Sequence, residues 1–380
     1  MKDVIIIGAG ASGLFASVLL KPEAIVIERN ERAGEKLLLT GGGKCNFTHV
    51  GNAEETCSAY YDKKNFVKRA IYNFPPEKII SFFENKLHVP SCVSENGKVF
   101  PSSGKSSTVL SALLDNAGQT IYSEKVVDIT KKDDFFIVRT EKNSYTSRYV
   151  IVAAGGNSFP KTGSDGSICS LLKKLGHTII PFSPALSRIK TNTDFSAASG
   201  ITINLAIKGK EGSCKGSAVI TPSGFGGPAA ENFSRYLKQK EEITVDFLPD
   251  EELEINRCAK EVRNVLPLPT SLLSVLIEKR ILEKKSAELT KEEERKIISS
   301  LKSFKTSASA DEKSAMSSRG GVSTKEIDSK SMHSRIVENL YFTGEIMDVD
   351  AFCGGYSLTF AFSSAALACQ DIEKRLSQEK

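Results

Sequence analysis

The chain has 380 residues, 40% of them hydrophobic and 26% charged, with 51 basic side chains against 46 acidic ones for a formal net charge of +5. Such a composition excludes a disordered, collagenous or disulfide-dense chain, and a small basic excess in no long block reads as a solvated surface, so no nucleic-acid partner is expected. At roughly 150 residues per domain, more than one domain is expected.

Val4-Ile5-Ile6-Ile7 is continuously apolar and reads as a strand buried on both faces. Gly8 to Gly13 is a glycine-rich turn, Leu14 to Leu20 a helix ended by Pro22, and Ala24 to Ile27 a second buried strand closing at Glu28. Further on, Phe66–Asn73 and Glu77–Lys86 read as helices, and Lys98–Pro101 and Thr120–Ile129 as strands. Phe135–Thr140 and Tyr145–Val152 form a hairpin pattern feeding a buried run, Tyr149 to Ala153. Asp165 to Gly176 reads as a helix, and His177 after it is placed at the helix end.

After Pro184 short strands separated by glycine and serine suggest a small β unit over 189–250, and 251–308 carries amphipathic helical spacing at Leu272, Leu273, Leu276, Ile277 and Leu282. Near 320 the glycine-rich texture returns. Asn339 to Gly344 reads as a strand entering a turn, and Ser357 to Cys369 as an apolar helix. The expected class is α/β, a split Rossmann-like domain (1–188 and 309–380) with an inserted β-barrel plus helical domain (189–308).

No apolar run approaches the ~18 residues of a membrane span. The start, Met1-Lys2-Asp3, lacks signal-peptide character, so a cytoplasmic location and no membrane partner are expected. Eight scattered cysteines form no CxxC and no zinc spacing; they read as packing thiols, with no metal site.

Gly8-Ala9-Gly10-Ala11-Ser12-Gly13 follows a strand, precedes a helix, and has Glu28 at the end of the next strand. Gly8 allows the tight turn, Gly10 lets a pyrophosphate approach the backbone, and Gly13 lets the helix pack on the strand. The helix start offers free N–H groups to phosphate, and Glu28 accepts from ribose hydroxyls. Three later features distinguish FAD from NAD. Gly41-Gly42-Gly43 follows the acid closely; Ala153-Ala154-Gly155-Gly156 ends a buried strand; Gly344-Glu345 and Gly354-Gly355-Tyr356-Ser357 supply a second cofactor segment far down the chain.

These segments, with Lys36 to Asn46, Ala153–Pro160, Thr162 to Gly166, Gly320-Gly321-Val322 and Gly344 to Leu358, resemble the bacterial FAD-dependent oxidoreductases of the aminoacetone-oxidase and bile-acid enone reductase type over nearly the whole chain. The resemblance implies FAD and an insert lying over the flavin. It implies cofactor contacts at Gly8, Gly10, Ala11, Ser12, Gly13, Glu28, Arg29, Lys36, Thr40, Gly41, Gly42, Gly43, Asn46, Val126, Ala154, Gly155, Gly344, Glu345, Asp348, Gly355, Tyr356, Ser357 and Leu358. Lys44 stands where that pattern has Arg, and Ser357 where it has Asn. Thr221-Pro222-Ser223-Gly224-Phe225-Gly226-Gly227-Pro228 lacks the pattern's His and Ser, so the substrate need not be a relative's.

The expected chemistry is hydride exchange between flavin N5 and a small organic substrate, an amine or an enone, with the helix at Ser357 facing the reduced ring. Catalytic candidates are Lys44, Cys45 and Tyr356, with Asn46 and Cys353 also on the substrate side; no general base is named. A second GxGxxG is absent from 151–330, which leaves NAD(P)H as a transient reductant or oxygen as an acceptor. An RNA-modifying flavoprotein and a flavin-binding sensor without turnover are the competing classes; the oligomeric state stays open.

Overall fold

In the computed structural model, which describes residues 2–378, the apolar run at the start is strand β1 (Lys2–Ile7). Its side chains Val4 to Ile7 are buried on both faces, as in the centre of a covered parallel sheet, with β2 (Ala24–Ile27) paired on one edge and the long β6 (Ser144–Val152) on the other. Helix α1 (Ala11–Leu20) makes the crossover from β1 to β2. The sheet runs β3 (Thr120–Ile121), β2, β1, β6, β5 (Phe135–Thr140), β4 (Val126–Lys132). Strand β7 (Leu340–Phe342) joins the same edge of β6 that β5 uses. The antiparallel strand β5 pairs with residues 144–147 of β6, and the parallel strand β7 takes over at Val150–Val152. The parallel strands therefore end together at Ile7, Ile27, Val152 and Phe342. Helix α3 (Tyr356–Gln378) packs on α1, and between them Phe15 meets Phe82 and Phe362 at ring distances of 5.0 and 5.1 Å. A short helix α2 (Glu35–Leu39) follows β2.

Three local readings need correction. Thr120–Ile129 is not one strand. Ser123 takes a left-handed φ of 56° and the buried Glu124 carboxylate draws in Thr140 Oγ1 (2.5 Å), Asn143 Nδ2 (2.6 Å) and the Tyr145 hydroxyl (2.9 Å). That turn sends β3 and β4 to opposite edges of the sheet. The helix expected over 165–176 is confined to Cys169–Lys174, because Gly166 has φ 69° and the Asp165 carboxylate accepts from the Ser167 N–H to hold a loop instead. His177 does not serve the helix end with its ring: Nδ1 lies 3.2 Å from Glu326 Oε2 and Nε2 3.0 Å from Ser334 Oγ.

The chain divides into two compact units, residues 1–182 with 317–380, and residues 183–316. The second contains a closed six-stranded barrel in the order Ile189–Thr191, Gly224–Gly226, Ser213–Thr221, Thr202–Lys208, Glu241–Asp246, Phe304–Ala310. Phe195, Phe225, Phe233 and Phe247 fill its core. The helical reading of 251–308 fails at its end, where Phe304–Ala310 is the closing strand. It pairs with both Glu241–Val245 and Ile189–Thr191 and so leaves the barrel without an open edge. The divergent 221–228 segment is a tight hairpin in which a Cβ at Gly224 would lie 2.2 Å from the Ile189 carbonyl oxygen. Among the described residues no helix is long and apolar enough to cross a membrane, and no group of His, Cys, Asp and Glu could hold a metal ion.

Candidate functional site

At the carboxyl ends of the parallel strands the three fingerprint glycines do three different jobs. Gly8 has φ 103°, and a Cβ there would meet Ala153 O at 2.7 Å; a Cβ at Gly13 would meet Gly8 O at 1.9 Å. Both are packed by the fold itself. Gly10 is different: it has ordinary extended backbone (φ −83°, ψ −169°), and nothing stands within 4 Å of its Cβ position. Gly10 is also the N-cap of α1, with no side-chain cap, so the N–H groups of Ala11, Ser12 and Gly13 are left for an outside acceptor.

Glu28 lies buried beside this turn. One carboxylate oxygen accepts from Ala9 N (2.7 Å) and the other from Asn30 N (2.8 Å). Burial raises the Glu28 carboxyl above its ordinary value, against the pull of those two N–H groups and Arg29. Arg29 turns to Asp165 (2.7 Å) and Ser167 Oγ (3.2 Å), and Asn30 Nδ2 donates to Thr162 O (3.0 Å). Thus Arg29 pins the 160–167 loop over the strand end. Val126 opens β4, half-buried opposite Thr140.

The second segment meets the first here. The Lys36 ammonium pairs with Glu345 and donates to Ser158 Oγ (2.6 Å). Glu345 also accepts from Ser318 N (2.7 Å) and Ser317 Oγ (2.9 Å). Burial disfavours the Glu345 charge, but Lys36 and the Ser318 and Ser317 donors outweigh it and hold the carboxyl below its ordinary value. Glycine is required at 156, where a Cβ would lie 2.1 Å from Ser318 Oγ and 3.1 Å from Glu345 Cγ. Ala154 and Gly155 are half-buried beside it. Gly344 turns with φ 69° against Ser12 Oγ. Asp348 holds Lys63 (2.9 Å) and accepts from Gly320 N (3.1 Å).

The 40–46 loop completes the set. Thr40 Oγ1 donates to Leu37 O at 2.6 Å, and Gly41, Gly42 and Gly43 are all left-handed and exposed, as is the Lys44 side chain to solvent. Cys45 is fully buried, and burial pushes its thiol up to about 12, so it packs and does not act as a nucleophile. All eight cysteines, Cys353 included, are free. Asn46 Oδ1 is buried without a hydrogen-bond partner, and a Cβ on Gly355 would lie 2.8 Å from it. Tyr356, Ser357 and Leu358 form the first turn of α3, half-buried, with N–H groups that no helical carbonyl can reach.

The structure thus brings Gly8–Gly13 to Gly344, Lys36 to Glu345 and Asn46 to Gly355, as the motifs imply. It diverts Arg29 to Asp165 and removes Cys45 from reach. Sequence reading gave no role to Ser158, although it lies in the 153–160 segment, and missed Ser317, Ser318 and Lys63, which carry no motif, and His49, whose ring stacks on Tyr356.

A family model described as the HI0933-like protein Rossmann domain matches residues 2–371. A ribosomal RNA dihydrouridine synthase of Haemophilus influenzae is 29% identical, over 98% of this chain and 99% of its own. A 3-dehydro-bile acid delta(4,6)-reductase of Clostridium scindens is 28% identical, over 97% and 98%. Among solved structures, a 3-ketosteroid delta1-dehydrogenase of Sterolibacterium denitrificans superposes with a TM-score of 0.54 at 9% identity, covering 98% of this chain and 99% of that one. An E. coli quinol fumarate reductase subunit superposes with a TM-score of 0.52 at 13% identity, over 100% and 71%. At such identities the structural likeness speaks for the fold alone.

Proposed function

Because the chain belongs to the HI0933-like FAD/Rossmann family of flavoprotein oxidoreductases, we propose that it is an FAD-dependent reductase that saturates a carbon–carbon double bond conjugated with a carbonyl. The carrying observation is the meeting of the two distant segments at one sheet edge, Lys36 on Glu345 and Asn46 beside Gly355. The names of the two relatives point the same way. A delta(4,6)-reductase of a 3-dehydro steroid and a dihydrouridine synthase each add two hydrogens to a double bond polarised by a carbonyl.

The residues fit FAD. Open space over Gly10 and the uncapped start of α1 suit a pyrophosphate, the buried Glu28 oxygens suit ribose hydroxyls, and the orphaned Asn46 Oδ1 awaits a donor. Glu345 and Lys36 would hold the ribitol, and Gly355 to Leu358 would line the pyrimidine side. Bound FAD supplies the hydride chemistry that no side chain can. The first turn of α3 directs three N–H groups and the positive helix end at that region, favouring negative charge there by about 0.3–2 kcal/mol. Lys44 and Tyr356 stand on the substrate side. NADH or NADPH is the proposed electron donor.

The test is anaerobic. Purified yellow protein is mixed with NADH or NADPH, then with a steroid enone or a cyclohexenone. Flavin bleaching followed by enone-dependent recolouring supports the reading; a protein that is colourless and cannot be reconstituted with FAD removes it. A second reading, uracil in RNA as the conjugated carbonyl, rests on the full-length relatives named for ribosomal RNA. Ribosomal RNA gaining two hydrogens per site by mass spectrometry would select it.

A further inference from the structure

The loop that leaves β6 for the helix Cys169–Lys174 touches both halves of the candidate site. At its start Asn157 N donates to Ser318 Oγ (2.9 Å), and Ser158 Oγ accepts from the Lys36 ammonium (2.6 Å). Lys36 is paired with Glu345, so this foot of the loop stands where the ribitol is proposed to lie. Toward the other end Asn30 Nδ2 donates to Thr162 O (3.0 Å), and Arg29 reaches Asp165 (2.7 Å), Ser167 Oγ (3.2 Å) and Gly163 O (3.4 Å). Asn30 also gives its own N–H to a Glu28 oxygen (2.8 Å). One residue thus joins the second foot to the carboxylate proposed for the ribose.

Between its feet the loop is braced on itself. Ser164 Oγ donates to Gly156 O (3.0 Å), Thr162 Oγ1 to Phe159 O (2.8 Å) and Gly163 N to Pro160 O (3.1 Å). A compact loop closed by its own contacts moves as one piece. The two feet differ in strength. Glu345 is held by Ser317 and Ser318 as well as by Lys36, whereas the Arg29 and Asp165 side chains are 31% and 30% exposed. Burial opposes the Asp165 charge, but Ser167 and Arg29 outweigh it and hold the carboxyl below its ordinary value, so the pair is ionised at neutral pH.

We propose that residues 157–167 form a strap that closes beside the bound dinucleotide, and that the Arg29–Asp165 ion pair fastens it and sets how slowly FAD leaves. The proposal rests on the FAD reading above. It makes Arg29 and Asp165 positioning residues: the guanidinium uses its donors on the loop, and the loop in turn borders Glu28 at one end and Lys36 at the other. Opening the strap breaks the more exposed foot first, and salt weakens that foot by screening.

The experiment starts from the yellow, flavin-loaded protein. After dilution, the flavin still with the protein is separated by gel filtration at intervals, in low and in high sodium chloride. Asp165→Asn keeps an oxygen acceptor for Ser167 and removes the charge. It should speed FAD release about fivefold at low salt, and Arg29→Gln should match it. The double variant should release no faster than either single one. Wild-type release should quicken with salt, and release from Asp165→Asn should quicken less. Trypsin gives a second readout at Lys161, which is exposed on the strap. Cleavage there should be slower in flavin-loaded than in flavin-stripped wild type, and faster in loaded Asp165→Asn than in loaded wild type. Equal release from wild type and Asp165→Asn, with or without a loss in Arg29→Gln, would overturn the proposal, as would cleavage at Lys161 that ignores FAD. A protein that takes up no FAD overturns the function reading and this proposal with it; a flavin-loaded protein indifferent to Asp165→Asn overturns the proposal alone.

Discussion

Gly10→Val separates the fold from the ligand more cleanly than any other change in the fingerprint. Its backbone is extended and the Cβ position is empty to 4 Å, so a branched side chain fits the protein without a clash. What it loses is a favourable N-cap, at a cost of about 1 kcal/mol or less when Gly gives way to an aliphatic residue. What it fills is the space proposed for the pyrophosphate. With FAD at a hundredfold excess over its Kd, the wild type gains ~2.7 kcal/mol from binding. For a unit of this size each kcal/mol moves Tm by roughly 2–4 °C, so FAD should raise the wild-type Tm by roughly 5–10 °C. Differential scanning calorimetry of the flavin-stripped proteins, with and without added FAD, reads both quantities. The variant's apo Tm should fall by no more than a few degrees, and its FAD-dependent rise should vanish. A Gly10→Val protein that keeps stoichiometric flavin and the full rise would show that the phosphates lie elsewhere.

Gly13→Ala should do the reverse, destabilising the apo protein by about 1–3 kcal/mol in urea unfolding, because its Cβ would overlap Gly8 O at 1.9 Å. Glu28→Ala should weaken FAD retention measured by equilibrium dialysis, since the ribose loses its acceptor and the Ala9 and Asn30 N–H groups lose theirs. Lys36→Met should cost about 1–3 kcal/mol in urea unfolding by leaving the Glu345 carboxylate short of its cation. His177 gives a pH signature. Burial lowers its pKa from the ordinary 6.5 despite Glu326, so the folded state binds fewer protons than the unfolded one. Its contribution is complete above 6.5 and is lost as pH falls through the depressed folded value; Tm of wild type should drop over that range more steeply than Tm of His177→Gln.

What could be read from the chain was what local pattern encodes. The four buried aliphatic residues of β1, the glycine spacing and Glu28 lie within thirty residues of one another, and each has one steric or hydrogen-bonding job. That the distant 344–358 segment approaches the first was legible because glycines cluster where backbone must pass close to something. Long-range pairings were not legible: Lys36 and Glu345 are 309 residues apart, and nothing in the 153–160 segment or around Ser317 and Ser318 marks those serines as their partners. Thr120–Ile129 was misread because strand propensity is continuous there, while Ser123 and the buried Glu124 break it through contacts with Thr140, Asn143 and Tyr145. The barrel's closing strand was missed for a similar reason: Phe304–Ala310 follows a capped amphipathic helix, Lys291–Lys302, and only its two barrel neighbours make it a strand.

The same separation in sequence explains why this edge of the sheet suits a long ligand. Ser12 meets Gly344, Lys36 meets Glu345, Asn46 meets Gly355, and Thr48 Oγ1 meets Thr359 Oγ1 at 2.8 Å. Four contacts in turn link the first fifty residues to residues 344–359, each one further along both segments. They form a seam, and a dinucleotide laid along it would touch Gly10 at one end and the first turn of α3 at the other. A short ligand would reach only one end, and either the orphaned Asn46 oxygen or the uncapped start of α1 would then stay unsatisfied. The unmet polar groups at both ends are what a dinucleotide laid along the seam would satisfy.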